Sequence, residues 1–155
     1  TTPLKLPPNR SQQMLYQLVY SSVATEAMPK TKLYKILHGA RAANAIASVT
    51  GLLVFAEGKF LQVLEGQKEV VCALMQKISM DHRHNNVRVV TEQAIDARIF
   101  PSWKMAYVST NASELAAWAG LRSTTTIEDT LACLTADPAR VPNILQHLLG
   151  AIREP

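Results

Sequence analysis

The stretch KFLQVLEG, residues 59–66, carries a glutamine in the middle of an apolar run. Side chains alternate along a strand, so Phe60, Gln62 and Leu64 share one side while Leu61 and Val63 share the other. Both sides are apolar, which is the pattern of a strand buried between two layers. A buried amide has two donors and an acceptor with two lone pairs, and leaving these unpaired costs about 1–3 kcal/mol. Gln62 therefore requires partners. Tyr20, in MLYQLVYSS, brings a hydroxyl to a strand face shared with Tyr16 and Leu18, and a buried hydroxyl of this kind also seeks an acceptor. Asn44 falls at a helix end, an ordinary position for a C-terminal cap. His82 and His84 in MDHRH point apart at i, i+2 with no third ligand in sight, so they do not make a metal site. No nucleophile–base set, paired carboxylates or phosphate-binding loop argues for hydrolysis or phosphoryl transfer.

The elements that must position these groups can be read from punctuation and period. TTPLKLPPNRSQQ, residues 1–13, is an extended, partly mobile lead-in rich in Pro and polar residues. A first strand covers 14–22. Pro29 precedes a helix to about Ala43, with Leu33, Ile36, Leu37 and Ala40 at helical spacing. Strands follow at 48–56 and 59–66, joined by a tight turn at Glu57-Gly58. A second helix spans about 68–80, with Val70, Leu74 and Ile78 at i, i+4, i+8. Strands at 87–96 and 104–109 complete the order β-α-β-β-α-β-β. That order is the ferredoxin-like split βαβ with one added strand, an α+β fold with a mixed five-stranded sheet and both helices on one face.

The domain so defined covers 14–108, and 109–155 is a helical extension. Asn111…Glu114 and Thr126…Asp129 resemble capping boxes, and Gly120 stops the first of these helices. Val141, Ile144, Leu145, Leu148, Leu149 and Ile152 then form a wide apolar stripe, with Pro142 placing the start of the regular helix. The stripe must bury itself against the open face of the sheet or against another chain.

At 155 residues, the chain can build one core without staples. Sixteen basic and twelve acidic residues give a net charge of +4, and the cations are scattered rather than gathered into an arm for nucleic acid. Cys72 and Cys133 read as small buried hydrophobes in a reducing compartment. With no membrane-span-length apolar run and no signal pattern, the expectation is a cytoplasmic protein that contacts neither membrane nor nucleic acid.

LVYSS, RAANAIASVTGLLVF, GKFLQVLEG, MDHRHNN and RIFPSWKM occur in this order on the expected elements. Together they closely resemble the BLUF family of flavin-binding blue-light sensors, over about residues 14–108. The resemblance implies a noncovalent flavin, usually FAD with FMN possible, held between the two helices. Two amphipathic helices side by side on one sheet leave a suitable groove. Gln62 matches the photoactive glutamine, bridging the Tyr20 hydroxyl to the flavin, and Tyr20 matches the electron and proton donor. Asn44 matches the asparagine that bonds the flavin pyrimidine edge, near which Asp81, Arg83 and His84 also fall. His82 is variable in the family and is expected in solvent. Trp103 and Met105 match the pair on the last strand thought to relay the signal. Their shared parity places both on one face of a regular strand, and only a kink makes them alternate. Ala40 and Ala43 stand where some members carry polar residues, which leaves a leaner hydrogen-bond set.

The resemblance further implies that, under blue light, Tyr20 gives an electron and a proton and takes them back. Gln62 is left rotated or tautomerised and the absorption shifts slightly to the red. It implies a sensor, not an enzyme, acting through a homo-oligomer or a separate effector. The 141–152 stripe is the candidate surface. The alternative is a flavin-free ferredoxin-like regulatory binding module, which explains the fold but not Gln62 opposite Tyr20. A flavin reductase lacks the dinucleotide fingerprint that a nicotinamide partner requires.

Overall fold

The computed structural model describes residues 14–152, so the lead-in expected at 1–13 lies outside the described residues. Five strands form one mixed sheet: β1 (Leu15–Ala24), β2 (Thr50–Ala56), β3 (Lys59–Gln67), β4 (His84–Ala94) and β5 (Ala106–Ser109). Their order is β4-β1-β3-β2-β5. All neighbours are antiparallel except β2 and β5. Helices α1 (Lys30–Ala47) and α2 (Lys68–Ser79) are the two crossovers. They pack on one face, as right-handed connections require. The α+β, ferredoxin-like reading of the sequence therefore describes the molecule.

Local chemistry explains the joints. Glu57 and Gly58 both take positive φ, 49° and 80°, the pair of left-handed residues that a two-residue hairpin turn uses to match strand twist. Gly51 has another reason to be glycine. A Cβ there would lie 1.9 Å from the Val63 carbonyl oxygen, so β2 and β3 approach closely only because that atom is absent. α1 runs one turn further than expected and is closed by Ser48 in the left-handed region, φ 56°. Asn44 is thus inside the last turn rather than at the cap.

Both faces of the sheet are covered. Leu18, Tyr20, Leu53, Phe60 and Leu64 pack under α1 and α2 with Leu33, Leu37, Val71 and Met105. Val19, Leu52, Val54, Leu61 and Val63 face the other way. There they meet α3 (Ala112–Trp118), α4 (Ile127–Ala136) and α5 (Val141–Ala151) through Leu115, Leu134, Val141, Ile144, Leu145 and Leu148. The caps are those the sequence suggests. Asn111 Oδ1 accepts from the Glu114 N–H at 2.9 Å, Thr126 Oγ1 accepts from the Asp129 N–H at 3.1 Å, and Gly120 at φ 77° follows α3.

The role of the 141–152 stripe is corrected here. Val141, Ile144, Leu145 and Leu148 are between 0 and 2 % exposed, spent on the second face of the sheet within the same chain. The stripe is core, not a docking surface. A second correction concerns Trp103 and Met105. The last strand begins only at Ala106, so both residues precede it, in a bent segment where strand parity does not apply.

Candidate functional site

The two strands at the centre of the sheet set the site. In the β1–β3 register Tyr20 stands directly opposite Gln62, and both side chains rise toward the helices. Tyr20 is 3 % exposed and Gln62 6 %. The Tyr20 hydroxyl donates to Gln62 Oε1. Gln62 Nε2 donates to Met105 Sδ at 3.5 Å. A thioether is a weak acceptor, so a buried amide with this partner retains donor capacity for something else.

Above this pair, α1 and α2 leave a groove of about 190 Å³. Its walls are largely apolar, with Ile36, Leu53, Leu64, Leu74 and Ile78 among them. Ala40 and Ala43 also line it, as the leaner reading of α1 expects. Its polar lining includes Asn44, Asp81, Arg83 and His84. The structure therefore brings together Tyr20, Asn44, Gln62, Asp81, Arg83 and His84, residues drawn from four separate segments. Neither expected relay residue lines the groove: Met105 touches it through Gln62, and Trp103 lies elsewhere. It packs half-buried in the core of the C-terminal helices, while Met105, 1 % exposed, belongs to the core beneath the groove.

Each polar group has a definite setting. Burial first, and the Asp81 carboxylate second, push the Tyr20 hydroxyl well above its ordinary value, so it keeps its proton. Arg83 holds Asp81 through Nε at 3.0 and 3.1 Å, and its hydrogen bond lowers the Asp81 carboxyl to about 2. His84 Nε2 lies 2.7 Å from the Ile78 carbonyl oxygen, which can only accept, so that nitrogen carries the proton. Its Nδ1 lies 2.8 Å from Ser22 Oγ, a hydroxyl that can either donate or accept. His82 is exposed, and among the described residues no group of three or more His, Cys, Asp or Glu could hold a metal.

Sequence reasoning named Asn44 but not its main-chain contact, and it missed the polar anchors Arg41 and Glu65 altogether. Asn44, 2 % exposed, donates through Nδ2 to the Lys104 carbonyl at 2.6 Å. Arg41 Nε donates to the Met105 carbonyl at 2.9 Å. Glu65, fully buried, accepts from Gln17 Nε2 and from the main-chain N–H groups of Ile99 and Phe100, at 2.9, 3.0 and 2.8 Å. A charged residue in an otherwise apolar strand was the available signal for Glu65, since such groups are rarely buried unpaired. No comparable signal marks Arg41.

An apolar slot between two helices, lined also by amide, guanidinium and imidazole groups and by a tyrosine–glutamine pair, is the concave, mostly apolar kind of pocket in which small cofactors bind. The family model described as sensors of blue-light using FAD matches residues 15–106. The chain belongs to this BLUF family and is a blue-light photoreceptor. Over 88 residues it is 39 % identical to the photoactivated adenylate cyclase subunit beta of Euglena gracilis, an alignment covering 57 % of this chain and 10 % of that protein. The chain thus spans about a tenth of the length of that relative. Among solved structures, the photo-activated state of BlsA superposes with a TM-score of 0.77 at 30 % identity, covering 92 % of this chain and 99 % of the other. The dark state of BlrB gives 0.70 at 27 % identity, covering 88 % and 96 %.

Proposed function

We propose that this photoreceptor switches through Tyr20 and Gln62, with flavin bound in the groove between α1 and α2. The observation that carries the reading is the buried hydrogen bond from the Tyr20 hydroxyl to the Gln62 amide, at the floor of that groove. The donor set suits the cofactor. Asn44 and Gln62 offer amides to a carbonyl edge, and Arg83 offers a cation to an oxygen-rich one. FAD is the form proposed, with FMN as the second candidate. When bound, the flavin supplies light absorption and an oxidising excited state.

The chain's own residues do the rest. Tyr20, kept neutral by burial, has both an electron and a hydroxyl proton to give, and it recovers both, so no net redox change remains. Gln62 lies on the proton's path because its Oε1 accepts from that hydroxyl. A half-turn of the amide places an N–H against the Tyr20 oxygen and leaves Met105 facing the amide carbonyl oxygen, whereas the imidic tautomer would present an O–H to the Tyr20 oxygen. Met105 is thereby the first residue outside the groove to register the change. Trp103, two residues earlier in the opposite core, is the second member of the proposed relay. The receiver is a separate effector or a second copy of this chain, consistent with a relative named as a cyclase subunit. No helix among the described residues is long and apolar enough to cross a membrane, and two free cysteines suit the reducing cytoplasm proposed for it.

The test is an absorption spectrum of the purified protein before and after blue light. A flavin spectrum that moves to the red and recovers in darkness is expected, and Gln62→Leu should keep the flavin while losing the shift. A colourless protein that takes up no added FAD would instead favour the flavin-free binding module.

A further inference from the structure

Residues 95–105 join β4 to β5, and their 98–105 stretch passes from one core to the other. Phe100, fully buried, sits with the C-terminal helices, whereas Met105 sits beneath the groove. The segment is pinned at both ends. Glu65 accepts from the Ile99 and Phe100 N–H groups, and Arg98 donates to the carbonyls of Ser48 and Glu65 at 2.8 and 3.0 Å. At the other end, α1 holds two successive carbonyls, with Asn44 on Lys104 and Arg41 on Met105. The Gly51 N–H adds a bond to the Trp103 carbonyl at 3.1 Å.

We propose that Arg41 is a positioning residue of the photoswitch. It fixes the main chain of Met105 so that the sulfur stays within reach of the Gln62 amide. The inference rests on the Tyr20–Gln62 reading and extends it to a side chain that does not line the groove. The contact between Gln62 and Met105 cannot hold the segment, because a thioether accepts weakly. A guanidinium donor is about twice as strong as a neutral one. Once the amide has turned, its carbonyl oxygen faces the sulfur and no donor joins the two. Return to the resting state requires an N–H to find that sulfur again, so its rate depends on Met105 having stayed in place. Without Arg41 the segment drifts and the return slows.

The experiment compares wild type and Arg41→Ala, both with flavin bound. Removing Arg41 should leave the red shift in size and slow dark recovery by about three- to tenfold, the range that losing part of a charged hydrogen bond gives. A purely structural role for Arg41 would not alter the second readout. With ¹³C at the methionine carbonyls, light-minus-dark infrared spectra of the wild type should show a label-sensitive amide band that disappears in Met105→Leu. In Arg41→Ala that band should move to higher frequency, as a carbonyl that has lost its donor does. Wild-type recovery together with an unmoved band in Arg41→Ala would overturn the assignment. Arg41→Met keeps a stem of similar length but carries no donor, and it decides by the same criteria should the alanine variant not fold. A wild type with no red shift would sink the Tyr20–Gln62 reading itself and Arg41's role with it, a result distinct from a shifting wild type with an indifferent Arg41.

Discussion

Tyr20 must keep its proton until light removes it, and its surroundings enforce this in two ways. Its hydroxyl is desolvated, and the anion of Asp81 opposes a second negative charge. Asp81 in turn stays ionised because Arg83 holds it, down to about pH 2. The linkage with stability follows in sign. Tyr20 titrates above its unfolded value of 10.0 in the folded chain, so the stability tied to its neutral form is intact below pH 10 and is lost as pH rises beyond it. Between pH 9 and 11 the urea midpoint of the wild type should therefore fall more steeply than that of Tyr20→Phe. Tyr16 and Tyr107 are shifted in the same direction, so the comparison between the two chains carries the answer rather than either slope alone. Parallel slopes would show that Tyr20 ionises as freely in the folded chain as in the unfolded one.

At the scale of elements, the segment between β4 and β5 is organised by a residue on a different strand. Glu65 receives three donors without an exposed atom, and two of them lie 34 and 35 residues further along the chain. Glu65→Gln keeps the shape but turns one acceptor into a donor facing an N–H. It should cost about 1–3 kcal/mol in urea denaturation, the price of one unsatisfied buried group. Exchange of the Ile99 and Phe100 amides should accelerate more than that of the β3 amides, and uniform acceleration would count against a local clasp. This clasp also marks where sequence reading stops. Period and punctuation were enough for β1, α1, β3 and α2, because a strand or helix declares itself within ten residues. The groove residues were legible only through their joint resemblance to a family, and their convergence follows from a register in which Tyr20 meets Gln62. Apart from the Gln17 amide on Glu65, the partners of Glu65, Asn44 and Arg41 are main-chain groups, which any residue at those positions would present. The opposed placement of Trp103 and Met105 was hidden for a related reason. Parity arguments assume a strand, and the strand starts one residue later.

For the molecule as a whole, the sheet separates two cores with different duties: one holds the groove, and the other is closed by α3, α4 and α5. The apolar stripe of α5 could be seen in the sequence, but what covers it could not. A hydrophobic face is satisfied equally by a sheet in its own chain or by a second chain, and burial per unit area is the same in both. The deciding clue lay in β3 itself. Leu61 and Val63 are as apolar as Phe60 and Leu64, and a sheet with only one helical layer would have exposed them. Leu148, with no exposed surface, consequently belongs to the fold's stability. Leu148→Ala should cost about 2–5 kcal/mol, the range for a buried leucine truncated where neighbours relax incompletely. Size-exclusion chromatography of the folded fraction should return the wild-type elution volume, because the lost contacts are internal. A variant that keeps its thermal midpoint but changes its oligomeric state would place the stripe at an interface between chains. The expected outcome is the reverse, a lowered midpoint at unchanged size, because Ile144, Leu145 and Leu148 interlock with Val19, Leu52 and Val63 in one continuous cluster.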